Sequence, residues 1–82
     1  MISHEIETYR DFRVRMILDE TPTHWVCEIT FERPAGTAHR DAPPGFGKNA
    51  KKSEVGALNF SMAMQYEARA MIDEWIARDD GR

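Results

Sequence analysis

Two short segments in which apolar and polar residues alternate constrain the fold of this chain more than any other feature. Every second residue is apolar: Phe12, Val14, Met16 and Leu18 in the first segment, and Trp25, Cys27, Ile29 and Phe31 in the second. A period of two is typical of a strand that has one buried face. Residues 19–23, Asp-Glu-Thr-Pro-Thr, favour a turn between the segments. The pattern therefore predicts a β-hairpin over about residues 9–32.

The need for apolar residues to face one another restricts the register of this hairpin. A slip of one residue would turn a whole apolar face towards solvent. The predicted cross-strand pairs are Leu18 with Trp25, Met16 with Cys27, Val14 with Ile29, and Phe12 with Phe31. This register also places Arg15 opposite Glu28 on the outer face, where opposite charges attract.

The carboxy-terminal part of the chain has helical periodicity and predicts one helix over about residues 53–78. Ser53 is a suitable N-cap, and no proline follows it. The residues expected to pack on the hairpin are Phe60, Met64, Ala68, Met71 and Trp75, with Leu58, Ile72 and Ile76 widening this stripe. Two i,i+4 ion pairs, Arg69–Asp73 and Glu74–Arg78, are expected on the opposite side.

The segment between hairpin and helix, about residues 33–52, is predicted to be a long loop. Residues 34–50 contain three prolines, three glycines and one large apolar residue, Phe46. A short third strand near Thr37–Arg40 is an open alternative, because a two-stranded hairpin alone is marginally stable. The chain is thus expected to form one α+β domain over residues 1–82, in which an antiparallel hairpin packs against one long carboxy-terminal helix.

Charge is distributed unevenly along the chain. The net charge is −3, yet residues 33–52 hold five basic residues against Asp41, a local charge of +4. A nucleic-acid or phosphate binder could use this segment, with contacts from Arg40, Lys48, Lys51 and Lys52. Cations just before a helix start oppose its dipole, so Lys51 and Lys52 favour an external anion. The alternative is a solvated loop. Residues 45–48, Gly-Phe-Gly-Lys, lack the P-loop spacing and are expected to form a turn with Phe46 in the core.

Two resemblances accompany these patterns. Residues 45–58, GFGKNAKKSEVGAL, resemble the second half of a double-stranded-RNA-binding domain. That resemblance implies phosphate contacts for Lys51 and Lys52. Residues 21–24, Thr-Pro-Thr-His, resemble the Gly-Pro-x-His loop of the same family, which implies a loop contact for His24. Much of the chain is also similar to a group of short bacterial proteins of unknown function with a β-β-β-α layout. The shared features are Tyr-Arg-Gly-aromatic, here residues 9–12 with Asp11 in place of glycine, a tryptophan at Trp25, and Ile72-Asp73 near the helix end.

Reactive residues do not cluster in this sequence. His4, His24 and His39 are scattered, and Cys27 is expected to face the core. We therefore predict no catalytic, cofactor or metal site. A single cysteine, no apolar amino-terminal run and no long apolar segment favour a cytoplasmic protein without a membrane partner.

Small residues recur every seven positions along the predicted helix, at Gly56, Ala63, Ala70 and Ala77. Val55, Met62 and Tyr66 extend the apolar arc further than a small hairpin can cover. Alanine is also simply a good helix former on a surface. The leading prediction is a non-enzymatic interaction module, or a small homodimeric accessory protein, that contacts a protein partner through Gly56, Ala63, Tyr66, Ala70 and Ala77.

Overall fold

The computed structural model describes residues 3–33 and 42–80 of the chain. The elements in chain order are β1 (Ser3–Tyr9), β2 (Phe12–Glu20), β3 (His24–Glu32), β4 (Phe46–Lys51) and α1 (Ala57–Asp80). The strands form one antiparallel sheet in the order β1-β2-β3-β4, and α1 packs across one face of it. The predicted α+β class, a hairpin under a long carboxy-terminal helix, is confirmed, and the sheet has two strands more than the hairpin.

The faces of the β2–β3 hairpin are as predicted, but its register is wrong by two residues. Leu18 lies opposite Cys27, Met16 opposite Ile29 and Val14 opposite Phe31. The pairing continues to Glu20 and Trp25, because the connecting turn consists only of residues 21–23. A shift of two residues keeps every side chain on its own face, so alternation alone cannot detect it.

On the outer face, the same shift changes the expected charge pairs. Arg15 lies opposite Thr30, and Glu28 lies opposite Ile17. The ion pair across these strands is instead Arg13–Glu32, at 3.0 Å.

Strand β1 was not predicted, because residues 3–9 are mostly polar. It pairs with β2 along its full length through a two-residue connection, Arg10-Asp11. Both of these residues have positive φ, 50° and 70°, as in the type I′ turns that suit tight hairpins. Asp11 thus occupies a left-handed position that normally favours glycine.

Strand β4 corrects the prediction of a continuous loop over residues 33–52. Phe46–Lys51 pairs with β3, and Phe46 is half-buried with its ring 6.3 Å from that of Phe31. A Cβ at Gly45 would lie 2.6 Å from the carbonyl oxygen of Ile29, so glycine permits this close approach. The possible strand near Thr37–Arg40 lies outside the described residues.

Helix α1 begins four residues later than predicted, so Ser53 is not its N-cap. Residues 52–54 form a turn, in which the amide of Glu54 donates to the carbonyl of Lys51 at 3.0 Å. The helix itself starts at Ala57, and the carbonyl of Gly56 accepts from the amide of Phe60 at 3.0 Å.

One apolar cluster lies between the sheet and α1. Its buried members are Phe12, Val14, Met16, Cys27, Ile29 and Phe31 from the sheet, and Phe60, Met64, Ala68 and Ile72 from the helix. Met71 and Trp75 pack against the cluster as predicted, but both are only half-buried. Ile72 continues the four-residue spacing of Phe60, Met64 and Ala68. Ile72 is therefore the fully buried side chain in this part of the helix.

The β1–β2 turn offers a direct test of backbone strain. An L-residue in the left-handed region costs about 1–2 kcal/mol, whereas glycine loses about 0.5–1 kcal/mol of entropy on folding. We therefore expect Asp11→Gly to raise the free energy of unfolding by about 0.5–1 kcal/mol in urea denaturation. Thr8→Gly, within β1, is the matched control and should lower it by a similar amount. A loss of stability in Asp11→Gly would contradict the described turn.

Candidate functional site

The solvent-facing side of α1 carries a row of large apolar side chains. Leu58, Met62 and Tyr66 are 71%, 56% and 78% exposed, respectively. Among the described residues, the other large apolar side chain that is this exposed is Ile6, on the outer face of β1. The spacing of four residues places the three side chains in one row, which Ala70 continues over a length of about 18 Å. We call Leu58, Met62, Tyr66 and Ala70 the α1 stripe.

The predicted small residues border this stripe. Ala63 and Ala77 are exposed on the same helix, whereas Gly56 is exposed immediately before its first residue. Two expectations need correction. Leu58 was assigned to the core side, but lies in solvent. Val55 was assigned to the exposed arc, but is half-buried against the core, and its carbonyl accepts from the indole Nε1 of Trp25 at 2.9 Å.

A shallow notch opens beside the stripe. Its volume is about 280 Å³, and it is lined by Tyr9, Tyr66, Arg69, Ala70 and Asp73. Two tyrosine rings, one methyl group and an oppositely charged pair of side chains therefore surround a space next to the centre of the stripe. Such a space can accept an apolar side chain from outside.

Polar contacts to α1 from β1 and from the turn that follows it hold the notch residues in place. The guanidinium of Arg69 donates to Glu7 at 2.8 Å, and the phenol of Tyr9 and the guanidinium of Arg10 donate to Asp73 at 3.0 and 2.9 Å. The amide of Gln65 makes a longer contact of 3.5 Å with Glu5. We call these contacts the polar seam. They replace the predicted Arg69–Asp73 pair, whereas Glu74–Arg78 is present at 2.6 Å.

The spacing of the polar seam follows from the geometry of its two elements. Its helix residues, 65, 69 and 73, are four apart, and its strand residues, 5, 7 and 9, are two apart. Four helix residues advance about 6.0 Å and two strand residues about 6.8 Å, so successive contacts stay aligned. These helix-facing side chains were not recognised in the sequence because β1 itself was not predicted.

The other flank of α1 is tied to β4 by one ion pair. Lys48 of β4 faces the helix and pairs with Glu67. Lys48 is therefore separated from Lys51, which alternation places on the opposite face of the same strand. The predicted group of basic residues does not form one surface, and Arg40 lies outside the described residues.

Three of the predicted residues do lie together in the structure. His24, Lys51 and Lys52 line an open cleft of about 510 Å³, with Pro22, Thr23 and Ser53. Lys52 also pairs with Glu20 and lies 4.7 Å from the centre of the Trp25 ring. Lys51 is exposed and has no ion pair with any described residue. Lys51 and His24 are thus the groups of this cleft best placed to meet an anion.

Cys27 lies in the core, as predicted. Burial, together with the charges of Glu28 and Glu5, raises the pKa of its thiol to about 11. A thiol with this pKa is a poor nucleophile near neutral pH. Within residues 3–33 and 42–80, no three metal-ligating side chains come together, and no helix is long and apolar enough to cross a membrane.

Comparisons with protein-family models, curated proteins and solved structures give no match for this chain.

Asp73 allows a pH-dependent test of the polar seam. Hydrogen bonds from Arg10 and Tyr9 hold the pKa of Asp73 below its ordinary value of 3.8. Because the folded-state pKa is the lower one, the contribution to stability is complete above pH 3.8 and is lost as the pH falls through the folded-state value. We expect the urea midpoint to fall less in Asp73→Asn than in wild type when the pH is lowered through this window.

The matched control for this measurement is Glu28→Gln, which changes an exposed carboxylate on the opposite face of the sheet. It should leave the acid-induced fall of the midpoint as in wild type. Equal behaviour of Asp73→Asn and wild type would show that the seam does not contribute to stability through the Asp73 carboxylate.

Proposed function

We propose that this chain is a non-enzymatic protein-interaction module that forms a homodimer through the α1 stripe. The observation that carries the proposal is the row of Leu58, Met62 and Tyr66, three large apolar side chains that are each more than half exposed on one helix face. Burial of such a side chain contributes about 1.5–3 kcal/mol relative to exposure. Clustered apolar side chains on a surface are typical of interaction sites.

Several features support a second copy as the partner. A two-fold axis through the middle of the stripe would cover the same residues on both chains. The small side chains of Ala63, Ala70 and Ala77 would let the second helix approach closely. Both edge strands also carry charged side chains that face the helix, Glu5 and Glu7 on β1 and Lys48 on β4. Inward-pointing charges of this kind disfavour pairing between sheet edges, which leaves the helix as the better surface.

We propose no chemical step for this chain. We expect the homodimer to act in the bacterial cytoplasm, where a single reduced cysteine is stable.

Ala70→Arg tests the proposed interface. The substitution places a long charged side chain in the stripe and changes helix propensity little. We expect wild type to be a dimer at high micromolar concentration, by light scattering and sedimentation, and Ala70→Arg to be a monomer with the same circular dichroism spectrum. His4→Arg introduces the same side chain on the outer face of β1 and should remain dimeric.

Two outcomes would contradict the proposal. If wild type is monomeric at high micromolar concentration, the homodimer does not exist. If wild type is a dimer and Ala70→Arg stays dimeric, the interface lies away from the α1 stripe, and a monomeric His4→Arg would locate it on the outer face of the sheet.

A second candidate function is the binding of nucleic acid through its phosphates. The observation that favours it is the cleft in which Lys51, Lys52 and His24 lie together. Thr23 and Ser53 add hydroxyl groups that can donate to phosphate oxygens. The salt bridge to Glu20 neutralises part of this charge, which makes Lys51 the residue on which such binding would depend.

Heparin and RNA retention distinguish this candidate from the first. If the cleft binds phosphates, wild type should be retained at low salt, and Lys51→Ala should elute at a lower salt concentration. Lys48→Ala removes an equal charge on the helix-facing side of β4 and should elute like wild type. An absence of retention at low salt, or an equal effect of both substitutions, would contradict phosphate binding at the cleft.

A further inference from the structure

We infer that the two copies cross in antiparallel orientation at Tyr66, with Met62 of each copy seated in the notch of the other. This inference rests on the proposed homodimer and specifies its geometry. It follows from the distribution of charge along α1, from the position of the notch, and from the side chains that the crossing brings together.

Charge divides α1 into two unlike halves. Residues 57–66 contain no charged side chain, whereas residues 67–80 contain five acidic residues and two arginines. A parallel pair of helices would place the two charged halves side by side, so that the exposed Asp73 and Glu74 of one copy lie beside the same carboxylates of the other. An antiparallel pair places the uncharged half of one helix against the charged half of the other, and it also opposes the two helix dipoles. The charge pattern therefore favours the antiparallel pair.

The notch lies where an antiparallel crossing needs a space for a side chain of the other copy. When two identical helices cross at residue 66, residue 62 of one copy lies over residue 70 of the other. Ala70 lines the notch, and Met62 is the exposed side chain that would enter it. Methionine is flexible enough to fill an irregular space, and its sulfur packs favourably beside aromatic rings such as those of Tyr9 and Tyr66.

The same crossing gives a polar partner to the exposed carboxylate of the notch. Residue 59 of one copy lies near residue 73 of the other, so the exposed amide of Asn59 can donate to Asp73. Asp73 keeps its hydrogen bonds from Tyr9 and Arg10 in this arrangement. A parallel pair would instead bring the two Asp73 carboxylates together.

Disulfide trapping tests the orientation. A disulfide needs Cα atoms within about 7 Å, and Cys27 gives little background because it is buried with a thiol pKa of about 11. We expect chains carrying Met62→Cys, mixed with size-tagged chains carrying Ala70→Cys, to form mixed disulfide-linked dimers. Leu58→Cys chains should stay unlinked, because the antiparallel crossing separates the two thiols by about 24 Å.

Tyr66→Cys provides the proximity control, since residue 66 meets its own copy at the crossing point. The mixed 62–70 product should exceed the Leu58→Cys product several-fold under the same oxidation conditions. Efficient linking of Leu58→Cys without the 62–70 product would overturn the inference in favour of a parallel pair. A wild-type dimer whose variants give none of these links would overturn it as well. A monomeric wild type would instead refute the homodimer, so the two failures are distinguishable.

Discussion

Burial of the apolar face of β2 and β3 under one helix is the constraint on which the rest of the structure depends. The four-residue row Phe60, Met64, Ala68 and Ile72 covers the face that contains Val14, Met16, Cys27 and Ile29. A single helix of about 10–12 Å diameter cannot cover four strands, which lie about 4.8 Å apart. The outer strands therefore meet the flanks of the helix with polar side chains, Glu5 and Glu7 from β1 and Lys48 from β4. The side of α1 that faces away from the sheet stays exposed to solvent, with Leu58, Met62 and Tyr66 on it.

The sequence predicts the parts of the fold that alternate strongly between apolar and polar residues. The faces of β2 and β3 and the existence of α1 follow from periodicity, because burial of one face gives a sequence its periodic pattern. The register of the hairpin does not follow, since a two-residue shift preserves both faces. Strands β1 and β4 do not follow either. They are edge strands in which most side chains make ion pairs or face solvent, and only Tyr9, Phe46 and Ala50 pack against the core. Selection for a buried face therefore leaves little trace in their sequence.

The candidate surface was predictable in part. The small residues Ala63, Ala70 and Ala77 are exposed, and Met62 and Tyr66 are exposed as predicted. Leu58 and Val55 were assigned wrongly, since Leu58 is exposed and Val55 packs against the core. Leu58 and Phe60 are both apolar, and which of the two faces the core depends on how the helix is oriented where it begins at Ala57. The end of β4 and the turn at residues 52–54 determine that start. Because β4 was not predicted, Ser53 was predicted as the N-cap, four residues before the helix begins.

Successive contacts of the polar seam advance by slightly different distances along the helix and along the strand. Each step of the seam accumulates about 0.8 Å of mismatch between the helical and the extended rise, so the offset over its three contacts is about 1.6 Å. Flexible side chains can absorb that offset. In a seam twice as long, the last side chains would be too far apart to form hydrogen bonds. The axial position of α1 is therefore set by a short segment of β1, and Tyr66 and Ala70 are presented at a defined height beside Tyr9. An insertion of one residue between 65 and 73 would rotate and displace part of this seam, and with it the surface that α1 presents.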